Sequence, residues 1–244
     1  MKAYNFEICI PSMGRAGSVE TAKLFDDFKI FCPKREADEY RKFYGDKVFE
    51  VPDDIKGITA TRNFILDHSG KYVIQCDDDV IGFYRMNSRK ENKYEELTKE
   101  HLYEVIDNSF LMAEEIETNL WGFNLSRDKK FYREYSPISL SSVLVANFFG
   151  MINDGQRFDE RVKLKEDYDY SLESLRRHRK ILRFNQYAFF VQHQSNSGGC
   201  VDYRTMDLEK DTIKLLKRKW GSKIIKTNPK KEYEIKVSVP IKGI

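Results

Sequence analysis

Apolar residues recur along this chain at two spacings, and the alternation between them predicts its architecture. Short apolar runs bounded by Pro, Gly or charged residues read as strands at Phe6–Ile10, Lys29–Cys32, Lys47–Val51 and Lys71–Cys76. Between them lie segments with helical spacing: about Val19 to Phe28, Lys34–Tyr44 after Pro33, and Gly57–Asp67, where Ile58, Phe64, Ile65 and Leu66 mark one face. This βαβαβ rhythm predicts a parallel, right-handed, doubly wound half. Ile81–Met86 continues apolar and aromatic, and Asn87–Lys93 is a polar loop. Thr98–Thr118 is the longest helical pattern, with Leu102, Val105, Ile106, Phe110, Leu111 and Ile116 on one side and Thr98 as its cap. Beyond it the pattern predicts a strand at Leu120–Leu125, a strand pair within Ser142–Ile152 and a helix starting within Arg157–Tyr170 and running to Arg176. A hairpin of Ile181–Phe184 with Tyr187–Val191, a helix at Thr205–Trp220 and a strand-like run at Tyr233–Val239 complete the chain.

One strand ends in an unusual way. In KYVIQCDDDV, residues 71–80, an apolar run buried on both faces breaks off into Asp77, Asp78 and Asp79. Three adjacent carboxylates repel each other unless a cation or a set of donors offsets their charge. In open α/β sheets ligands bind outside the carboxyl ends of the strands, where a hard divalent ion can join Asp oxygens to phosphate oxygens. The plainer explanation, one Asp capping a turn and two solvated, suits a lone Asp better than three.

The 244 residues, 41% hydrophobic and 33% charged, describe a globular protein with a proper core, and the apolar runs contain no transmembrane span or signal peptide. An intracellular, cytoplasmic protein with no membrane partner is expected. The four cysteines, Cys9, Cys32, Cys76 and Cys200, are scattered without zinc spacing, and three fall in strand-like runs as buried thiols. A net charge of +3 does not by itself announce a nucleic-acid partner.

Further candidates stand near strand ends. Pro11-Ser12-Met13-Gly14-Arg15 could hold a nucleotide, though it could equally be an ordinary turn. Arg62 and Asn63 lie in the first turns of their helix, where Arg62 could meet a phosphate or an aspartate, or pair with Asp67 on the surface. Asp159, Glu160, Glu166, Asp167 and Asp169 crowd one helix start, which suits the helix dipole and also fixes carboxylates where a general base needs to be. His193 precedes Ser197-Gly198-Gly199, whose paired glycines predict a flexible loop, and is either a ligand or a satisfied surface or core residue. Arg127, Lys129, Lys130, Phe131, Tyr132, Arg133 and Tyr135 mix basic and aromatic side chains in one loop.

The ordered set ICIPSMGR, GITATRNFIL, VIQCDDDV, KEDYDYSLESLR and VQHQSNSGG, spanning residues 8 to 199, resembles the GT-A-type glycosyltransferases. More narrowly the chain looks like the phage and TET/JBP-associated glycosyltransferases. The resemblance implies a single GT-A-like α/β domain, with a Rossmann-like mixed central sheet flanked by helices. Residues 1–125 would be its nucleotide-sugar-binding half, 126–220 its acceptor and catalytic half, and 221–244 a tail. It implies that Asp77 and Asp79 hold Mn²⁺ or Mg²⁺ on the donor diphosphate, with His193 completing the coordination, and that Asp78 contacts the donor ribose or sugar. Pro11, Ser12 and Arg15 would line the nucleotide pocket, with Arg62 and Asn63 near the diphosphate or ribose. Glu166 and Asp167 match the acidic pair that includes the catalytic base, and the extra Asp169 leaves open which carboxylate faces the acceptor. The implied donor is a nucleotide-diphosphate sugar, a UDP-sugar first, and the expected acceptor is a hydroxymethylated pyrimidine in phage DNA, which would place the protein in the host cytoplasm.

Three other functions fit parts of the pattern. The same transfer could serve a glycan or protein acceptor. A sugar-1-phosphate nucleotidyltransferase shares metal-bound aspartates on a similar sheet, but PSMGRAG matches its Gly-rich loop poorly. A non-catalytic nucleic-acid-binding module would leave the acidic clusters without a purpose.

Overall fold

The computed structural model describes residues 4–87, 94–125, 132–145, 147–192, 204–228 and 231–239. His193, Cys200, the glycine loop, residues 126–131 of the basic loop and residues 88–93 of the polar loop lie outside them.

The elements follow the expected alternation. β1 (Phe6–Pro11), β2 (Lys29–Pro33), α1 (Ala37–Tyr44), β3 (Val48–Val51), α2 (Ile58–Asp67) and β4 (Tyr72–Cys76) form the first half. β5 (Val80–Met86), β6 (Tyr94–Glu96), α3 (Lys99–Glu115), β7 (Leu120–Asn124), β8 (Ile138–Ser139), β9 (Phe148–Ile152), α4 (Glu166–His178), β10 (Leu182–Val191) and α5 (Met206–Trp220) follow. β11 (Ile225–Asn228) and β12 (Lys231–Val237) pair as a separate antiparallel ribbon.

The main sheet has the order β3-β2-β1-β4-β9-β7-β10-β5-β6, with β8 added to β10. β3, β2, β1 and β4 are mutually parallel, so their C-terminal ends share one edge. β9 runs antiparallel to β4, pairing Phe148 with Cys76, and this places Asn147 beside Asp77 on that same edge.

Residue alternation sorts the strand side chains to two buried faces. Ile8, Ile10, Ile74, Cys76 and Phe148 join the side covered by α3, while Cys9, Val73 and Phe149 join the side covered by α2 and α4. β4 is therefore buried on both faces, as its largely apolar run predicts. Cys9, Cys32 and Cys76 are buried free thiols. On the α3 side Trp121 packs edge-on against Phe110, Phe148 and Phe184. This close approach depends on Gly150, where a Cβ would come within 2.0 Å of the indole.

Three expected elements differ. The helix expected over 19–28 is a short 3₁₀ turn at Glu20–Leu24, because Thr21 spends its side chain and backbone on the turn after β4. The strand pair expected within 142–152 is the one strand β9. The helix expected to start within 157–170 does so, at Glu166, and the residues before it are held as a loop by Asn63 at Phe158 and by Thr59 at Val162. The hairpin at 181–191 is the single strand β10, whose register shifts between Phe184 and Ala188. There the polar Asn185 reads as a turn but is buried, bonding the carbonyls of Pro137 and Ser136 through its backbone and side-chain N–H groups.

Candidate active site

The shared sheet edge opens into a cavity of about 870 Å³. Pro11 at the end of β1, and Ser12 and Arg15 after it, line the cavity, as do Arg62 of α2, Asp77, Asp78 and Asp79 after β4, and Asn147 before β9. Glu166 and Asp167 at the start of α4 close its far side.

Arg62 ties the two acidic groups together. Its guanidinium is almost fully buried and donates from Nη2 to Asp77 Oδ1 at 2.8 Å, from Nε to Glu166 Oε1 at 3.2 Å and from Nη1 to Gln75 Oε1 at 3.1 Å. Gln75 returns a bond from Nε2 to the Arg62 carbonyl, and the Phe149 ring lies beneath the guanidinium. Burial alone would disfavour this charge; the facing Asp77 and Glu166 carboxylates reverse that and raise the Arg62 pKa.

The three aspartates have distinct surroundings. Asp77 accepts from Arg62 on one oxygen and from Asn147 Nδ2 at 3.0 Å on the other. Asp78 accepts from Ser12 Oγ and from Arg15 Nη1, both at 2.6 Å. Its pKa is nevertheless raised, since desolvation outweighs those donors. Asp79 Oδ1 is buried with no hydrogen-bond partner among the described residues. Burial first, then the neighbouring charges of Asp77 and Asp78, push its pKa up to about 7. Thr21 clamps the turn: its Oγ donates to the carbonyls of Asp77 and Val80 and accepts from the Val80 N–H, while its own N–H reaches the Asp78 carbonyl.

No group of three or more His, Cys, Asp or Glu is arranged to hold a metal among the described residues, and His193 lies outside them. The residues present still suit a hard cation. A desolvated carboxylate oxygen without a donor, in a cluster of like charges, is what a divalent ion would satisfy. Asp79 is the carboxylate best placed to hold it, since both oxygens of Asp77 already accept bonds from protein donors.

The other candidates separate as well. Asn63 is clasped to the loop before α4 through the Phe158 backbone and Glu160, and it does not line the cavity. Glu166 is buried against Arg62, whereas Asp167 is partly exposed on the cavity wall. Asp169 faces away and docks α5 by accepting from Lys219 Nζ at 2.8 Å and Trp220 Nε1 at 2.7 Å. Asp67 pairs with Arg157, which leaves Arg62 to the interior.

Four functional side chains escaped the sequence reading. Gln75 could have been found as the one polar residue inside an otherwise apolar strand. Tyr40, Thr21 and Asn147 carry no such signal. Tyr40 is fully buried, and its hydroxyl bonds Ser12 Oγ at 2.8 Å and receives the Arg15 N–H at 3.1 Å, which shapes the loop after β1.

The family model of the TET-associated glycosyltransferases matches residues 6–199, from β1 to beyond β10. The chain belongs to this family. Among curated proteins, this TET-associated glycosyltransferase is 33% identical over 113 residues to the β-glucosyl-HMC-α-glucosyl-transferases of Enterobacteria phages T2 and T6, a match covering 41% of the chain. The chain spans only 40% of the length of these relatives. Among solved structures, residues 1–349 of S. aureus TarS in complex with UDP superpose with a TM-score of 0.52 at 11% identity, covering 88% of this chain and 66% of that TarS segment. Glucosyl-3-phosphoglycerate synthase from Mycobacterium tuberculosis, in complex with Mn²⁺, UDP-glucose and phosphoglyceric acid, gives 0.52 at 9% identity over 88% of this chain and 80% of its own. At these identities the likeness establishes a shared GT-A fold, with a mixed sheet flanked by helices. No helix among the described residues is long and apolar enough to cross a membrane.

Proposed function

We propose that this chain transfers a glycosyl group from a UDP-sugar to a hydroxyl carried by a hydroxymethylated pyrimidine in phage DNA. The observation that carries this reading is the buried Arg62 bonding Asp77 and Glu166 at once, so that the aspartate turn and the acidic start of α4 face one cavity. The volume of about 870 Å³ is at the large end for small-molecule sites, which suits a donor together with an acceptor group. The UDP and UDP-glucose complexes of the fold neighbours support the donor, and the names of the phage relatives support the acceptor.

The nucleotide belongs against Pro11, Ser12 and Arg15, with Asp78 and Tyr40 holding that loop in shape. A divalent cation, Mn²⁺ or Mg²⁺, held by Asp79 with Asp77 beside it and His193 as a further candidate ligand, would supply Lewis-acid stabilisation of the diphosphate. Asp167 serves as general base. It accepts the proton of the acceptor hydroxyl as the oxygen bonds to the anomeric carbon and the bond to the diphosphate breaks, releasing UDP. Glu166 is the less available base, because its carboxylate is buried and already committed to Arg62. A base inside duplex DNA must leave the stack to reach such a cavity, and Arg133 and Tyr135 of the basic, aromatic loop are candidates for contacting that strand.

The test is product analysis with UDP-glucose, Mn²⁺ and oligonucleotides bearing either hydroxymethylcytosine or its glucosylated form. Free UDP, with a gain of one hexose on the modified base, is expected. Pyrophosphate as product, or no UDP with either oligonucleotide, would overturn the reading.

A further inference from the structure

Lys165 stands immediately before the Glu166–Asp167 pair, and its backbone is left-handed, with φ 60° and ψ 31°. Residues with a Cβ disfavour that region, so something outside the helix must hold it there. The Lys165 ammonium reaches Glu209 Oε2 of α5 at 2.9 Å, with the two side chains only 12% and 3% exposed. The other oxygen of Glu209 takes Arg204, from Nε and Nη2, each at 2.6 Å. Both cations line the cavity. Glu209 itself sits in the first turn of α5, which Thr205 caps by accepting from the Leu208 N–H.

A nearly buried carboxylate with two cationic partners is fixed, since moving it would strand charges out of water. Relaxation of Lys165 into the right-handed region would extend α4 backward by a residue and re-aim its first turn, carrying Asp167 with it. Neither Lys165 nor Glu209 touches Arg62 or the aspartate turn through any bond described above, so this anchor is independent of the Arg62 bridge.

We propose that Glu209 is a positioning residue for the transfer reaction: through Lys165 it holds the left-handed turn that aims Asp167 into the cavity. The proposal rests on the reading of Asp167 as general base. It separates geometry from charge, because glycine adopts positive φ without the ion pair and alanine does not.

The experiment compares Glu209→Gln, Lys165→Ala, Lys165→Gly and the double variant Glu209→Gln with Lys165→Gly. Each is assayed for kcat and donor KM, and for amide hydrogen exchange over residues 163–168, with a thermal melt as the folding control. Glu209→Gln and Lys165→Ala should each lower kcat by about tenfold or more while donor KM changes by less than about twofold. Both should also speed exchange in that segment. In the Lys165→Gly background, Glu209→Gln should cost less than about threefold and leave exchange unchanged, a non-additivity that a general loss of packing would not produce.

Equal losses in the two backgrounds would overturn the proposal, as would unchanged kcat and exchange in Glu209→Gln. Should that variant not fold, Lys165→Ala against Lys165→Gly decides by the same criteria. A wild-type chain that transfers no sugar would remove the assignment of Asp167, and the exchange measurements would still decide whether Glu209 holds the turn.

Discussion

Arg62 Nη2 donates to Asp77 Oδ1 at 2.8 Å from a side chain only 2% exposed. Its Nε serves Glu166 from the same buried position, so one cation neutralises two carboxylates on different elements. Removing it would leave both acids facing each other without a counter-charge. Arg62→Met is therefore expected to lower unfolding free energy by roughly 3–5 kcal/mol and to abolish transfer. Urea unfolding checks the first part; a loss below about 1 kcal/mol would show that the bridge contributes little.

The raised pKa of Asp79 gives a pH signature. The carboxyl binds its proton more tightly when folded, with a pKa pushed to about 7 from an ordinary value of 3.8. Its contribution to stability is thus present in full below the ordinary value and is lost as pH rises through about 7. In chelator-treated protein, wild-type stability should fall between pH 5 and 8 more steeply than that of Asp79→Asn, which has no such proton to lose. Divalent cations should restore more wild-type stability at pH 8 than at pH 6, because at pH 6 they must displace that proton. Denaturant melts at several pH values would show this, and parallel curves for the two proteins would contradict it.

Neighbouring acids on α4 should behave differently. Asp167→Asn is expected to lose turnover while donor binding survives. Asp169→Asn instead weakens the bonds to Lys219 and Trp220 and should cost about 1–3 kcal/mol of stability with donor binding kept. Donor titration and thermal melts of the two variants separate these outcomes; full turnover in Asp167→Asn would remove the base assignment.

Gly150 tests the packing beneath the site. A methyl group there would sit 2.0 Å from Trp121, with the indole enclosed by Phe110, Phe148 and Phe184. Gly150→Ala should destabilise by at least about 1–3 kcal/mol through overpacking. A thermal melt matching wild type would mean the indole can move aside.

Much of the site was legible because it depends on local patterns. The apolar run into Asp77-Asp78-Asp79 placed a charge cluster at a strand end, whereas the helix pattern of 58–67 left Arg62 open between an interior partner and Asp67 on the surface. Asn63 is next in sequence but a further 100° around the helix, which takes it to the loop before α4. Two of the misread segments share a cause: tertiary partners took up polar groups that local patterning cannot assign. Thr21 bonds the aspartate turn, and Asn185 bonds the carbonyls before β8, so neither acts as its local pattern suggests. Tyr40, Asn147 and Glu209 enter the site through contacts that no spacing in the chain encodes.

The most direct test of the central claim is calorimetric titration of UDP with Mn²⁺ into the wild-type chain and into Asp79→Ala. The account predicts Mn²⁺-dependent binding to the wild type and its loss in the variant. Indistinguishable titrations for the two proteins, or no binding to the wild type, would contradict it.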